Sequence, residues 1–309
     1  MPKQAKSNLW RGFWRLADPK ISITSAAAMT VGGCVAATDG ALSWLWLGVT
    51  GCALFCVEVA KNAWGEVFDY DSGTDLAVAA QDRTDFSGGK RVLVDALLSR
   101  SQTWAMAFGF GAAALVLGTA VVFLREPLAF WIGAIGVLLG WSYHGPPLRL
   151  AYRGLGELDV VLCYGPLIVL STYLIQAGTL SWPAFWLSLP LGLLVAAFLW
   201  VNEFPDYLAD AGAGKRNLIV RLGRRRASRV LPVIYVAAFA ILPVLVGAGY
   251  PSLILLGLAA IPSASYACVR TWAAPDNFYR ANPVQPAALI TFVIYSVGAG
   301  TGYLFGANH

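Results

Sequence analysis

The sequence predicts an all-α integral membrane protein with about nine transmembrane helices. Apolar residues make up 58% of the 309 residues and charged residues only 13%, whereas soluble domains carry about 25% charged residues. The chain also contains about nine apolar runs of the length that a helix needs to cross the hydrocarbon core. A third observation is the distribution of Lys and Arg, which concentrate in alternate connecting segments. We therefore expect a single membrane domain over residues 1–309.

The predicted spans follow the apolar runs in order along the chain. Arg125-Glu126-Pro127 alone separates the third run from the fourth, which indicates a tight hairpin between two helices. The nine spans are residues 21–38, 43–65, 102–124, 127–143, 158–177, 183–203, 229–248, 251–270 and 286–306.

The orientation follows from the basic residues. All of the 22 Lys and Arg except Lys61 and Arg125 fall in the N-terminal tail or after the second, fourth, sixth and eighth spans. The positive-inside rule then places the N-terminus in the cytoplasm and the C-terminus outside. Residues 1–20 become a basic cytoplasmic tail, and 66–101 and 204–228 become cytoplasmic loops. No short apolar core precedes a cleavage site, so we expect no removable signal peptide and an integral protein of the inner (plasma) membrane.

Composition also argues against several classes of site and partner. The five cysteines stand singly in apolar runs without a CxxC pair, as expected for small buried side chains. His144 and His309 are the two histidines, too few for a histidine-based metal site or a Ser-His triad. The net charge of +5 is explained by the basic inner segments. It favours anionic lipid of the bilayer or a phosphorylated substrate as the counterpart, and we expect no nucleic acid partner.

Seven of the 17 acidic residues gather in two stretches, each at the inner end of an apolar run. Carboxylates beside hydrocarbon are costly and usually functional. In the second stretch, Asn202, Asp206 and Asp210 have the i, i+4, i+8 spacing that puts side chains on one helix face. Three converging oxygen ligands suit Mg²⁺, which takes one or two carboxylates together with phosphate oxygens and water.

The first acidic stretch has a similar design. Asn62, Glu66 and Asp69 lie at i, i+4 and i+7, and Asp75 follows Ser72-Gly73-Thr74, so that it is expected to reach back from a loop. Glu58, about two turns earlier, either faces a cavity or pairs with Lys61. The predicted metal ligands are Asn62, Glu66, Asp69, Asp75, Asn202, Asp206 and Asp210.

A glycine-containing segment and a basic pair follow each acidic stretch. The pairs are Lys90-Arg91 and Lys215-Arg216. Metal ions and cations of this kind stabilise the charge that develops on a departing diphosphate. An apolar cavity in the membrane would keep the resulting carbocation from water. The alternative is that these acids are ordinary interfacial residues that pair with the basic loops.

Several motifs, in order, resemble those of the UbiA superfamily of intramembrane prenyltransferases. The resemblance extends over nearly the whole chain and is greatest to the branch of 1,4-dihydroxy-2-naphthoate prenyltransferases of menaquinone synthesis. The motifs are Phe68-Asp-Tyr-Asp-Ser-Gly-Thr-Asp75, Ser87-Gly-Gly-Lys-Arg-Val-Leu93, the segment from Tyr143 to Glu157, Asn202-Glu-Phe-Pro-Asp-Tyr-Leu-Ala-Asp210, and Gly214-Lys-Arg-Asn-Leu-Ile-Val-Arg-Leu-Gly223.

This resemblance implies nine helices around a central cavity, two Asp-rich motifs that bind Mg²⁺ and diphosphate, and an isoprenyl tail among the helices. Asp69, Asp75, Asp206 and Asp210 correspond to its catalytic aspartates. The implied diphosphate-binding residues are Lys90, Arg91, Lys215, Arg216, Arg149, Tyr152 and Arg153, of which the last three, with Glu157, belong to a loop that caps the site.

One position departs from the family pattern. The first motif usually begins with Asn-Asp, and here it reads Gly65-Glu66. Glu66 keeps an acid with a longer side chain, whereas Gly65 lacks an amide ligand that Asn62 would have to replace. We interpret the change as the mark of a specialised branch.

The leading functional hypothesis is Mg²⁺-dependent transfer of a polyprenyl group from its diphosphate to an aromatic acceptor, with loss of CO₂ where the acceptor is a dihydroxynaphthoate. The runner-up is an intramembrane terpene cyclase of the same superfamily, in which double bonds of the substrate attack the cation beside aromatic faces. A third class is a transporter or a non-catalytic lipid-binding protein. The acids cluster at one membrane face and do not cross the bilayer, which argues against a proton relay.

Overall fold

The computed structural model describes residues 2–277 and 283–307. Residues 278–282, which include Arg280 of the predicted inner segment after the eighth span, lie outside the described part, as do Met1, Asn308 and His309. All regular secondary structure within the described ranges is helical.

Thirteen α-helices follow one another in the described part of the chain, with short 3₁₀ and π segments between some of them. They are α1 (Pro2–Ala17), α2 (Pro19–Thr38), α3 (Trp44–Asp71), α4 (Thr74–Ala77), α5 (Arg100–Leu124), α6 (Ala129–His144), α7 (Gly156–Leu162), α8 (Ile168–Ala177), α9 (Trp182–Gly212), α10 (Leu218–Leu222), α11 (Arg224–Gly247), α12 (Ile261–Ala273) and α13 (Val284–Gly306).

The predicted class, an all-helical membrane protein, is confirmed. Within residues 2–277 and 283–307, eight helical stretches are long and apolar enough to cross a membrane. The predicted span 127–143 corresponds to α6, whose 16 residues fall short of the about 20 that a full crossing takes. Nine is therefore an approximate count of the spans.

The predicted basic tail folds as a helix of its own. A left-handed residue, Asp18 with φ of 44°, turns the chain between α1 and α2. Leu16 and Ala17 are buried, whereas the rings of Trp10 and Trp14 are exposed. Exposed Trp on an amphipathic helix is typical of the membrane interface.

Two helices continue well past the apolar runs that predicted them. Helix α3 runs to Asp71 and α9 to Gly212, so the first residues of the predicted loops 66–101 and 204–228 are helical. Hydropathy falls where charged residues begin, but the backbone hydrogen bonding of a helix does not depend on apolar side chains. The acidic residues consequently stand on rigid helix ends.

Helix α9 forms the centre of the bundle and packs against α7, α11 and α13. Gly192 and Gly165 allow α9 to approach α7 closely. A Cβ on Gly192, for example, would lie 2.5 Å from the Val161 carbonyl. Pro166 follows Gly165, where the helix is interrupted by a π turn between α7 and α8. Tyr295 of α13 donates a hydrogen bond of 2.8 Å to the carbonyl of Leu187 in α9.

The segment between α3 and α5 folds back over the end of the bundle at which α3 ends. It contains α4 and then two consecutive glycines, Gly88 and Gly89, with φ of 91° and 75°. This conformation is costly for residues with a side chain. A capping box between Ser99 and Gln102 then starts α5.

Candidate active site

A cavity of about 180 Å³ lies at the end of the bundle where α3 and α9 carry their acidic residues. Asp69 of α3, Asp75 and Gly89 of the following segment, and Asn202 of α9 line it. The structure thus brings residues of both acidic motifs to one cavity. Asp206 and Asp210 continue the face of Asn202, about one and two turns further along α9.

Asp69 has polar contacts with residues of three other segments. Its Oδ1 accepts a hydrogen bond of 2.8 Å from the hydroxyl of Tyr152. Its Oδ2 lies 3.5 Å from the ammonium of Lys215 and 3.5 Å from Nε2 of His144. Three segments that are distant in sequence therefore meet on one carboxylate.

Lys215 connects the two acidic motifs. Its ammonium lies 3.5 Å from Asp69 and 3.6 Å from Oδ1 of Asp210, while Asn217 donates 2.9 Å to the other Asp210 oxygen. Burial opposes the charge of Lys215, but the carboxylates of Asp210 and Asp69 outweigh it and raise the pKa of Lys215 well above its usual value. The site therefore already holds one positive charge between the motifs.

Tyr152 connects the segment between α6 and α7 to Asp69. Its hydroxyl also lies 3.0 Å from Ser72 Oγ, and its carbonyl accepts 3.2 Å from the backbone of Arg216. Burial, followed by the negative charge of Asp69, raises the pKa of Tyr152 to about 12. The phenol thus remains a hydrogen-bond donor at neutral pH.

Asp75 reaches back to the cavity as the sequence predicts. Its carboxylate packs against Gly89, where a Cβ would lie 2.2 Å from Oδ1, and its buried Oδ2 has no hydrogen-bond partner. Burial, followed by the charges of Asp69 and Glu66, raises the pKa of Asp75 to about 9. A cation at this position would stabilise the ionised form.

Glu66 and Asn62 have additional roles that spacing does not reveal. Oε2 and Oε1 of Glu66 accept hydrogen bonds of 3.1 and 3.0 Å from the backbone of Arg91 and Leu93, so Glu66 holds the folded-back segment. The Asn62 amide donates 3.0 Å to the carbonyl of Leu16 at the end of α1. Their predicted role as metal ligands stays a prediction.

His144 fills the space beside Gly65. A Cβ on Gly65 would lie 2.8 Å from Nδ1 of the imidazole, which is buried and lacks a hydrogen-bond partner. The glycine that departs from the family pattern is therefore matched by a bulky residue from α6. Sequence reasoning missed His144 as a site residue, although it lies within a motif that carries the family resemblance.

The other predicted diphosphate-binding residues are arranged differently from Lys215. Lys90 pairs with Asp18, and Arg91 lies 3.3 Å from Asp95 and donates 2.9 Å to the Asp75 carbonyl. The exposed cations are those in or beside the segment between α6 and α7. Arg149 stands over the Tyr152 ring, Arg153 donates to the Pro147 carbonyl, and the side chain of Arg216 is exposed.

The donor set fits a metal that is shared with a phosphate ligand. Within residues 2–277 and 283–307, no three His, Cys, Asp or Glu side chains converge closely enough to hold an ion alone. One oxygen each of Asp75, Asn202, Asp206 and Asp210 is nevertheless buried without a hydrogen bond. Such oxygens are costly unless a ligand satisfies them, and Mg²⁺ typically takes few protein ligands and several from phosphate and water.

Buried acidic residues that do not line the cavity also occur in helices α3, α7 and α9. They are Glu58, Asp159 and Glu203, whereas Lys61 lines the cavity and is half-buried. The hydroxyls of Ser22 and Ser25 donate 2.6 and 2.5 Å to the two oxygens of Glu58. Within the described part of the chain no ion pair within 4 Å joins Glu58 to Lys61, although the two charges attract each other. A charged residue within an apolar run is the signal that identifies such positions in a sequence.

The fold and this site define an integral membrane protein whose intramembrane cavity ends in two facing acidic motifs. The chain belongs to the UbiA prenyltransferase family, which matches residues 26–305. This confirms the predicted family and the prediction that the chain is an enzyme of the prenyltransferase class.

Named relatives have similar sequences over most of the chain. A 2-carboxy-1,4-naphthoquinone phytyltransferase of Synechocystis sp. is 31% identical over 238 residues, which cover 75% of this chain and 73% of the relative. A 1,4-dihydroxy-2-naphthoate octaprenyltransferase of Bacillus subtilis is 24% identical over 237 residues, covering 76% and 73%.

Solved structures have the same fold. A UbiA homolog from Aeropyrum pernix superimposes with a TM-score of 0.65 at 19% identity, covering 91% of this chain and 96% of the homolog. A UbiA homolog from Archaeoglobus fulgidus, bound to GPP and Mg²⁺, gives a TM-score of 0.59 at 15% identity, covering 95% and 99%.

Proposed function

We propose that the protein transfers a polyprenyl group from its diphosphate to an aromatic acceptor within the membrane, in a Mg²⁺-dependent reaction. The observation that carries this proposal is the meeting of both acidic motifs at one cavity, with Lys215 between Asp69 and Asp210. Relatives named as naphthoate or naphthoquinone prenyltransferases support an aromatic acceptor, and the Mg²⁺-bound homolog supports the metal.

The two acidic motifs would bind the diphosphate end of the donor. Asp75, Asn202 and Asp206 offer buried oxygens without a hydrogen bond that would hold Mg²⁺, which supplies charge neutralisation for the leaving diphosphate. Asp210 would add its Oδ1, which faces Lys215 at 3.6 Å. Lys215 adds a positioned cation at the same place. Because Asp69 is fixed by Tyr152 and Lys215, its orientation requires no rearrangement during the reaction.

The reaction exchanges one bond at C1 of the prenyl chain. The C1–O bond breaks, and diphosphate leaves with the electron pair. A nucleophilic ring carbon of the acceptor then bonds to C1 and releases a proton or CO₂, which restores the aromatic ring. Apolar side chains such as Val195 and Leu199 line the cavity and exclude water from the allylic cation.

The decisive experiment uses the purified protein in lipid nanodiscs with geranylgeranyl diphosphate and Mg²⁺. Reactions are run with 1,4-dihydroxy-2-naphthoate, with 4-hydroxybenzoate and without an acceptor, and products are identified by mass spectrometry. We expect a prenylated aromatic product that requires both the acceptor and Mg²⁺. A cyclic hydrocarbon formed equally well without an acceptor would instead identify a terpene cyclase and overturn the proposal.

Variants test whether the acidic motifs carry the activity. Asp69→Asn and Asp206→Asn are expected to lose at least about 10²-fold in kcat/KM, because each removes a charge from the diphosphate end. The exposed Asp85 provides a matched control, and Asp85→Asn should retain wild-type activity. Full activity of both motif variants would refute the assignment of the site.

A further inference from the structure

The N-terminal helix α1 has a basic and aromatic surface that the proposed prenyl transfer does not use. Its 16 residues include no acid and four cations, which are Lys3, Lys6, Arg11 and Arg15. Trp10 and Trp14 lie one turn apart and are 63% and 42% exposed. The exposed side chains of Arg11 and Arg15 occupy the neighbouring face of the helix. The outer surface of α1 is therefore aromatic on one side and basic on the other.

The opposite face of α1 is packed against the protein. A Cβ on Gly12 would lie 2.6 Å from Cγ of Leu98, which shortly precedes α5. The ring of Phe13 stacks on that of Phe110 in α5 with 5.6 Å between centroids, and Leu16 is fully buried. Because these contacts fix the rotation of α1 about its axis, its tryptophans and arginines remain directed away from the bundle.

Arg11 is the cation of this surface that the protein does not neutralise. Among the residues whose side chains the structure describes, no carboxylate pairs with Arg11, whereas Arg15 lies 2.8 Å from Asp95. Tryptophans of membrane proteins concentrate at the level of the lipid head groups. A Lys or Arg close to an anionic membrane surface strengthens binding to it about fivefold. The neighbours of Arg11 therefore favour a negatively charged head group as its partner.

An apolar groove of about 420 Å³ lies beside this surface, between α1 and α5. Leu9 of α1 forms one side, and Met106, Gly109 and Phe110 of α5 line the other. At Gly109, no atom of the described residues lies within 4 Å of the position that a Cβ would take. Since α5 is long and apolar enough to cross a membrane, this open groove suits a hydrocarbon chain. Leu9 places it two residues from Arg11.

A lipid fits this combination of charge and groove better than a second copy of the chain. A symmetric dimer brings the same surface of both subunits together. It would therefore place two helices with four cations each and no acid against one another, and such juxtaposed like charges are unfavourable. An anionic phospholipid instead supplies a hydrocarbon chain for the groove and a negative charge for α1.

We propose that α1 and the groove beside it form a binding site for an anionic phospholipid, with an acyl chain in the groove and the head group at Arg11. Trp10 and Trp14 would lie at the level of the head groups. The inference does not depend on the proposed prenyl transfer. The carbonyl of Leu16 accepts a hydrogen bond from Asn62, so a lipid held by α1 would also stabilise a helix that supports the cavity.

The test measures lipid binding to the purified full-length protein. Native mass spectrometry in detergent resolves individual lipid adducts, and the probes are phosphatidylglycerol and phosphatidylcholine with identical acyl chains. The wild type should bind its first phosphatidylglycerol at least about fivefold more tightly than phosphatidylcholine, the factor expected for one cation beside an anionic head group. Equal affinities for the two lipids would overturn the proposal.

Charge reversal tests the position of the head group. Arg11→Glu should weaken phosphatidylglycerol binding about 25-fold, because one charge is removed and an opposite one is added, whereas Arg11→Lys should retain the preference. Arg226, which is exposed near the start of α11, is the matched control. Arg226→Glu changes the net charge equally and should keep the wild-type preference. A preference that survives Arg11→Glu, or an equal loss in Arg226→Glu, would overturn the site at α1.

Filling the groove tests the position of the acyl chain without changing any charge. Gly109→Leu should weaken binding of phosphatidylglycerol about 10-fold, as expected when about two methylene groups lose their apolar contacts. Gly118 of α5 also has no described atom within 4 Å of a Cβ and lies outside the groove, so Gly118→Leu should bind like the wild type. Unchanged binding by Gly109→Leu would overturn the proposal. So would a wild-type dimer that Gly109→Leu dissociates, because a second copy would then occupy the groove.

Discussion

The two acidic motifs have similar sequences but use their parts differently. Each consists of acids at a helix end, a glycine-containing segment and a Lys-Arg pair. In the second motif, Lys215 turns back to its own Asp210 and reaches Asp69 across the cavity. In the first motif, Lys90 pairs with Asp18 and not with an acid of its own motif. Glu66 accepts a hydrogen bond from the backbone of the segment that follows it.

The second motif therefore supplies a positive charge to the cavity, whereas the first motif determines the shape of the cavity mouth. Lys215 provides the cation between the carboxylates. The first motif instead folds its glycines over the cavity, so that Gly89 touches Asp75. The same sequence pattern therefore does not imply the same role for each basic residue.

The strongest test of the comparison exchanges the two lysines for methionine. Lys215→Met should reduce kcat/KM for the prenyl diphosphate by about 10²- to 10³-fold, because it removes the cation that faces the departing charge. Lys90→Met should cost about 10-fold or less, since Lys90 is engaged by Asp18. Steady-state kinetics check both values, and equal losses would show that the lysines are equivalent.

A second test concerns the shape of the first motif. Gly89→Ala should destabilise the protein by about 2–5 kcal/mol, the sum of a left-handed backbone penalty and a clash with Asp75. Gly214 is the matched control, because it has a φ of 75° but no atom lies within 4 Å of the position that a Cβ would take there. Gly214→Ala should cost only about 1–2 kcal/mol.

Thermal unfolding in detergent, followed by intrinsic fluorescence, compares these two glycine variants. The larger loss should occur for Gly89→Ala and should be accompanied by reduced activity. Similar unfolding temperatures for the two variants would mean that the contact between Gly89 and Asp75 does not constrain the cavity.

A third test addresses the pairing of Gly65 with His144. Gly65→Ala should clash with the imidazole, and His144→Ala should relieve the clash, so that the double variant is more stable than the sum of the single changes predicts. We expect a coupling energy of about 1–2 kcal/mol, within the range for residues in contact. A double-mutant cycle of unfolding free energies measures it, and additivity would exclude the pairing.

The smallest effect is expected at an acid outside the cavity. Asp71 pairs with Arg100 at 2.5 Å, but both side chains are substantially exposed. Surface ion pairs contribute about 0–1 kcal/mol, so Asp71→Asn should change stability by less than about 1 kcal/mol and leave kcat/KM within about twofold. A large loss of activity would extend the first motif to this residue.

The sequence predicted those features that depend on local pattern. Apolar run length located the helices, and the spacing of Asn202, Asp206 and Asp210 placed them on one face of α9. The helix ends were set too early, because hydropathy changes before the backbone leaves the helical conformation. The roles of individual ligands and the acceptor remain predictions, since they depend on bound groups.

Contacts between distant segments could not be read from the sequence. Glu66 and Leu93 are 27 residues apart, and neither spacing nor composition indicates their hydrogen bond. Gly65 and His144 belong to different helices, so the sequence shows a departure from the family pattern without its complement. Such contacts arise from packing and are specified only by the folded bundle.

The hydrogen bond from Asn62 to the end of α1 has a practical consequence for producing the protein. Removing the first 17 residues would leave the buried Asn62 amide without its acceptors and would also delete Arg15, which lies 2.8 Å from Asp95. The N-terminal helix thus contributes to the architecture of the cavity mouth. Affinity tags should leave α1 intact, because a truncated protein would report on a damaged site.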